Sequence, residues 1–101
     1  MSERKPCIPL YTDLTDRKVL VAGTGPEAQE LIRYLSAYTD HLYVLTGEEP
    51  YERSDLYGMD YVVSVLQDEA VNEDIFVTCR TLGIRVSIPS CPARCDFFLR
   101  L

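Results

Sequence analysis

KVLVAGTGPEAQE, Lys18 to Glu30, is the stretch that decides the fold. Val19, Leu20, Val21 and Ala22 form a short apolar run that stops at Gly23-Thr24-Gly25, and an amphipathic segment begins at Pro26. An apolar run of this length, bounded by glycine, suits a strand buried on both faces. Two glycines one residue apart let the backbone turn sharply and come close to a ligand. Proline at a first helical position costs little, because the N–H it lacks has no intrahelical partner there. Strand, glycine turn and helix start, in that order, make an anion site where free N–H groups and the helix dipole favour a phosphate. Gly23, Gly25 and Ala28 give the spacing G-x-G-x-x-A, a variant of the dinucleotide fingerprint whose last position needs only a small residue. The same loop also fits a glycine turn that binds no nucleotide, so the flanking sequence has to choose.

Downstream, Ala28, Leu31, Ile32, Leu35 and Tyr38 share one face of a helix expected over Pro26 to Tyr38, with Gln29, Glu30, Arg33 and Ser36 opposite. HLYVLT, His41 to Thr46, reads as a second strand, rich in β-branched and aromatic residues. Strand, helix and strand in this order imply a parallel pair. GEEPYERSDLYG, residues 47–58, reads as a loop, and Met59 to Leu66 as the next buried strand. A second helix is expected from an N-cap at Asp68 to a C′ glycine at Gly83, with Val71, Ile75, Phe76, Cys79 and Leu82 on its apolar face. Ile84 to Ile88 is a further strand, which Pro89 to Pro92 cannot continue. Asp96 to Leu101, DFFLRL, is expected to end the chain as a truncated strand with a free pairing edge. Upstream, CIPLYTDL, Cys7 to Leu14, is expected to lie as a short edge segment across the sheet. The sum is a single α/β domain: a small, parallel, Rossmann-like sheet with helices on both faces.

With 101 residues, 47% of them hydrophobic and 26% charged, the chain suits one small globular domain. A net charge of −6 argues against nucleic acid and anionic membrane surfaces as partners. No apolar run approaches the roughly 20 residues that span a bilayer. The start, MSERKPC, is polar and without a signal-peptide core, so the expected compartment is the cytoplasm. Cys7, Cys79, Cys91 and Cys95 are then expected to be reduced. With one histidine, His41, and no C-x2-C pair, no metal site is expected. Cys79 falls on an apolar helix face and reads as core packing.

Three stretches together resemble the N-terminal domain of the siroheme synthase family, the NAD-dependent precorrin-2 dehydrogenases, some of which are also sirohydrochlorin ferrochelatases. They are IPLYTDLTDRKVLVAGTGPEA (Ile8 to Ala28), DLYGMDYVVSVLQDEAVN (Asp55 to Asn72) and LGIRVSIPSCPARCDFF (Leu82 to Phe98). They cover nearly the whole chain in order. The resemblance implies NAD or NADP on Gly23, Thr24, Gly25, Pro26 and Glu27, with Thr46, Gly47 and Glu48 after the second strand and Leu66 on the nicotinamide side. It implies oxidation of the tetrapyrrole precorrin-2 to sirohydrochlorin, and a partner in the form of a second copy or another protein of tetrapyrrole synthesis. It also implies that the family's C-terminal dimerisation and helical domains are lacking here.

The departures carry weight of their own. Aligned on Pro92 and Asp96-Phe97, the family's acid–base aspartate falls at Ser90, the candidate catalytic position. A serine hydroxyl does not replace a carboxylate as a general base, so this position is expected to be inactive. The asparagine that precedes it in the family is Ser87. Glu27 and Glu30 stand where the family is usually basic, and carboxylates beside a helix N-terminus repel a pyrophosphate. About ten residues after the second strand are missing relative to the family, which implies one strand fewer. Two readings follow. One is a minimal precorrin-2 dehydrogenase. The other is a dinucleotide-binding or partner-binding module without catalysis.

Overall fold

The computed structural model describes residues 5–99. The readings of Met1 to Arg4 and of Arg100-Leu101 fall outside them. Four parallel strands form one sheet: β1 (Lys18–Ala22), β2 (His41–Leu45), β3 (Tyr61–Ser64) and β4 (Arg85–Ser87), in the order β2-β1-β3-β4. β1 pairs with β2 from Lys18↔His41 to Ala22↔Leu45, and with β3 from Val19↔Tyr61 to Ala22↔Ser64. β3 pairs with β4 from Tyr61↔Arg85 to Val63↔Ser87. The two helices are α1 (Pro26–Leu35) and α2 (Glu69–Leu82).

Alternation along β1 splits the core into two layers. Val19 and Val21 face Val63 and the α1 residues Ala28, Leu31 and Leu35. Leu20 and Ala22 face Val62, Val86 and the α2 residues Ile75 and Cys79. A helix therefore covers each face, and β1 is apolar from Val19 to Ala22, where both its faces are buried; Lys18 at its start is exposed.

The two helices begin differently. α2 is capped by its own chain: the Asp68 carboxylate accepts the N–H groups of Ala70 (3.0 Å) and Val71 (3.2 Å). α1 starts at Gly25, with Pro26 first, and no side chain caps it. α2 ends at Gly83 in a left-handed conformation.

Several boundaries differ from expectation. α1 stops at Leu35, three residues early, because the chain tightens into i→i+3 bonds from Ala37 to Tyr34 and from Tyr38 to Leu35. Thr39 is then drawn inward, donating to the Arg17 carbonyl at 2.6 Å, and Tyr38 is left on the surface. Residues 7–14 do not join the sheet. Ile8, Leu10 and Tyr11 are exposed, and from this segment Leu14 packs on the α1 layer. Residues 96–99 are not a strand either. Asp96 N–H bonds the Val86 carbonyl at 2.7 Å, but the Asp96 carboxylate accepts the Val86 N–H at 3.0 Å, where a further strand would place a carbonyl. The ladder ends there. Phe97 then meets Tyr61 edge-on, ring centroids 5.5 Å apart, and Leu99 packs on the α1 layer. The stretch from β2 to β3 holds a 3-10 turn, Arg53–Leu56, which buries Leu56 and places Arg53 in a forked ion pair with Asp74 of α2.

Candidate functional site

The sequence-predicted residues gather at one end of the sheet, because the connections that follow parallel strands all leave from the same edge. Gly23 to Glu27 follow β1, Thr46 to Glu48 follow β2, Leu66 follows β3, and Ser90 follows β4.

Main-chain contacts fix the glycine loop. Gly23 N–H bonds the Leu45 carbonyl of β2 at 2.9 Å, and Val65 N–H bonds the Ala22 carbonyl at 2.8 Å. Gly23 has φ +143°, and a Cβ built there would stand 2.6 Å from Val65 Cγ2. Only glycine lets the loop lie this close to the end of β3. Gly25 has φ +91°, and a Cβ built on it meets nothing within 4 Å. It faces open space at the helix start. The first bond of α1 runs from Gln29 N–H to the Gly25 carbonyl at 3.0 Å, so the N–H groups of Glu27 and Ala28 precede it and have no intrahelical partner. Pro26 contributes none. Those two N–H groups, the helix dipole and the open space over Gly25 suit a pyrophosphate. The Glu27 carboxylate, exposed in the same turn, opposes it.

After β2, Thr46 Oγ accepts the Glu48 N–H at 3.4 Å, and Glu48 is exposed. Leu66 packs into the α2 layer, and its Cδ2 would lie 3.6 Å from a Cβ on Gly47. The connection after β3 thus underlies both turns, Val65 beneath Gly23 and Leu66 beneath Gly47.

A buried polar pair holds that connection. The Ser64 hydroxyl donates to Asn72 Oδ1 at 2.5 Å, and Asn72 Nδ2 donates to the Leu66 carbonyl at 3.0 Å. Asn72 is 1% exposed. The site reading did not single out this pair. Its signal was available: Asn72 shares its helical face with Ile75 and Cys79, and a polar residue on an apolar face needs a buried partner.

On the β4 side, Ser87 is buried with its hydroxyl 3.6 Å from Cys95 Sγ, whereas Ser90 is exposed on the turn closed by Cys91 N–H to the Ile88 carbonyl. The structure therefore separates the two serines: Ser87 points into the protein and Ser90 into solvent. A hollow of about 170 Å³ lies between α1 and the ends of β3 and β4, lined by Glu27, Leu31, Val63, Ser87, Phe98 and Leu99. Its walls are apolar apart from one carboxylate and one hydroxyl. A larger, open hollow of about 410 Å³, lined by Tyr11, Asp13, Arg17 and Asp60, lies at the opposite ends of the strands. Among the described residues no group of three or more His, Cys, Asp or Glu is placed to hold a metal ion. No helix of the described residues is long and apolar enough to cross a membrane.

A parallel sheet of order β2-β1-β3-β4, with a glycine turn leading into an uncapped helix, defines a Rossmann-like dinucleotide-binding domain. The family described as "Putative NAD(P)-binding" matches residues 10–100, and the chain belongs to that family. It is similar to the "Probable multifunctional siroheme biosynthesis protein HemA" of Ruminiclostridium josui, 28% identical over 108 positions covering 89% of this chain and 21% of that protein. It is similar to the siroheme synthase of Psychrobacter sp. (strain PRwf-1), 27% identical, covering 88% of this chain and 22% of that one. A siroheme synthase of Ectopseudomonas mendocina (strain ymp) is 31% identical, covering 88% and 23%. The chain is homologous to the corresponding part of these proteins and spans about a fifth of their length. An alignment of 108 positions is longer than the 101 residues of this chain, so the first of these proteins carries extra residues between the matched stretches.

Proposed function

We propose that this chain holds NAD or NADP across the Gly23–Gly25 loop and serves siroheme formation as the dinucleotide-holding part of a precorrin-2 dehydrogenase. The observation that supports binding is the bare start of α1. α2 closes its own N-terminus with Asp68, while α1 presents the N–H groups of Glu27 and Ala28 beside open space at Gly25. Those groups hold the pyrophosphate. Glu48, just beyond β2, stands on the ribose side. The small hollow walled by Val63, Ser87 and Phe98 stands on the nicotinamide side, and Leu66 supports the Gly47 turn from beneath. When bound, the dinucleotide supplies the hydride acceptor. The chain's own task is to orient it and to exclude water from the apolar hollow.

Ser90 favours a second reading, a dinucleotide-binding module without catalysis. No carboxylate takes its place nearby in sequence, since Asp96 is engaged by Val86 N–H and by Arg80 at 3.0 Å. Ligand-dependent thermal shift tests the binding. Saturating NAD or NADP should raise the melting temperature by several degrees, and no shift with either at millimolar concentration refutes the proposal. Incubation with precorrin-2 and the better cofactor then separates the readings. Appearance of reduced nicotinamide supports the dehydrogenase, and binding without turnover supports the module.

A further inference from the structure

Glu27 belongs to two features at once. It stands in the first turn of α1, where its own N–H is one of the two offered to an anion. It also lines the hollow of about 170 Å³ between α1 and the ends of β3 and β4. Leu31, Val63, Phe98 and Leu99 make apolar walls there. Ser87 adds one hydroxyl, buried and turned towards Cys95 Sγ at 3.6 Å. Among the described residues that line the hollow none is Lys, Arg or His, so the Glu27 carboxylate is the one charge on its walls. An apolar cavity of about 150 Å³ takes one benzene ring, so the hollow has the size for a single ring.

We propose that Glu27 makes this site select the oxidised dinucleotide over the reduced one. The inference rests on the reading that the Gly23–Gly25 loop holds NAD or NADP. A dinucleotide with its pyrophosphate at the start of α1 has its adenosine on the β2 side, where Glu48 stands, and its nicotinamide on the side of β3, β4 and the hollow. A carboxylate at the helix start opposes the pyrophosphate, and that cost is offset only by a ligand with a positive charge close by. The two redox forms carry the same phosphate charges, so this repulsion is common to both and cancels from the ratio of their affinities. They differ at the ring. The oxidised nicotinamide is positively charged, and the reduced one is neutral. A ring seated among apolar walls displaces water, and there a carboxylate attracts the positive ring more strongly than it does in open solvent. The oxidised form alone gains from Glu27. The site therefore takes up the oxidised cofactor and lets the reduced one go, which suits a chain that serves an oxidation.

Equilibrium binding to the whole chain tests it. The affinity of NADH is read from its own fluorescence, and that of the oxidised form from displacement of NADH, with the NADP pair run alongside. The wild type should bind the oxidised form roughly fivefold or more tighter than the reduced form. Glu27→Gln keeps the shape and removes the charge. It should tighten the reduced form, which loses a repulsion, and change the oxidised form less, so that the ratio falls towards one. Glu30→Gln removes the same charge three residues further along α1, from a residue that does not line the hollow, and should leave the ratio as it is. Equal affinities for the two forms in the wild type overturn the inference while leaving the dinucleotide reading intact. So does a ratio that Glu27→Gln narrows no more than Glu30→Gln. Binding of neither form overturns both.

Discussion

Gly23→Ala tests how the loop is built. The new Cβ would stand 2.6 Å from Val65 Cγ2, 3.4 Å from the Val65 carbonyl carbon and 3.5 Å from Ala28 Cβ. Carbon atoms pack at about 3.5–4.0 Å, so Val65 must move. It is β-branched and stiff, and it packs on the α1 layer, so overpacking here costs about 1–3 kcal/mol. Holding alanine at φ +143° adds about 1–3 kcal/mol more. The expected loss is roughly 2–6 kcal/mol, which for a domain of this size lowers the melting temperature by about 10 °C or more. Gly25→Ala meets no atom and carries only the backbone cost at φ +91°. It should be the milder change for stability and the more severe for dinucleotide affinity, since its methyl enters the open space at the helix start. Urea unfolding of the wild type, Gly23→Ala, Val65→Ala and the double variant separates the two parts of the Gly23 effect. Removing Cγ2 should return about 1–2 kcal/mol of coupling, leaving the backbone part. A Gly23→Ala protein within about 0.5 kcal/mol of wild type, or strict additivity with Val65→Ala, refutes the reasoning.

The buried Ser64–Asn72 pair gives a second expectation. Asn72→Leu leaves the Ser64 hydroxyl proton and the Leu66 carbonyl without their partner and should cost about 1–3 kcal/mol in urea unfolding. A third concerns alkaline pH. Burial, and then the Asp74 carboxylate beside it, push the Tyr51 phenol up to about 12. The folded state holds it neutral, so its contribution is full below pH 10 and is lost as pH rises through 12. Tyr51→Phe should flatten that decline by an amount on the order of 1 kcal/mol, measured by unfolding at stepped pH. A fourth uses the thiols: burial, and then Asp96, push Cys79 up to about 12, so a disulfide reagent at pH 8 should label exposed Cys7 at once and Cys79 only on unfolding.

Much of this fold was legible because the informative signals were local. The apolar run Val19 to Ala22, its glycine stop, the Asp68 cap and the Gly83 end each specify a conformation through their own backbone chemistry, and each stands where it was expected. What was not legible depended on partners distant in sequence. Residues 96–99 have strand composition, yet a carboxylate reaching back to Val86 N–H ends the pairing. α1 has the periodicity to reach Tyr38, but Thr39 is held by the Arg17 carbonyl and the helix tightens before it. At the site, the glycine spacing located the loop, but no spacing revealed that Val65 and Leu66 support it or that Ser64 and Asn72 hold those two in place.

The main-chain groups left open bear on the proposed function. The described residues hold two α-helix starts and two sheet edges, and each leaves polar groups that need partners. One of each kind is closed from within: α2 by Asp68 and β4 by Asp96, both with carboxylates from the segments nearest to hand. The other of each kind is left open. At α1, glycine and proline stand where a capping side chain would be, and the groups left bare match an anion. At β2, a strand without Asp, Glu, Lys, Arg or Pro stands at the edge, and among the described residues no further strand lies beyond it. A chain that uses aspartate to close one member of each pair has the means to close the other. The bare start of α1 is accordingly the place where an anionic ligand has most to gain, and the Gly25→Ala variant probes it.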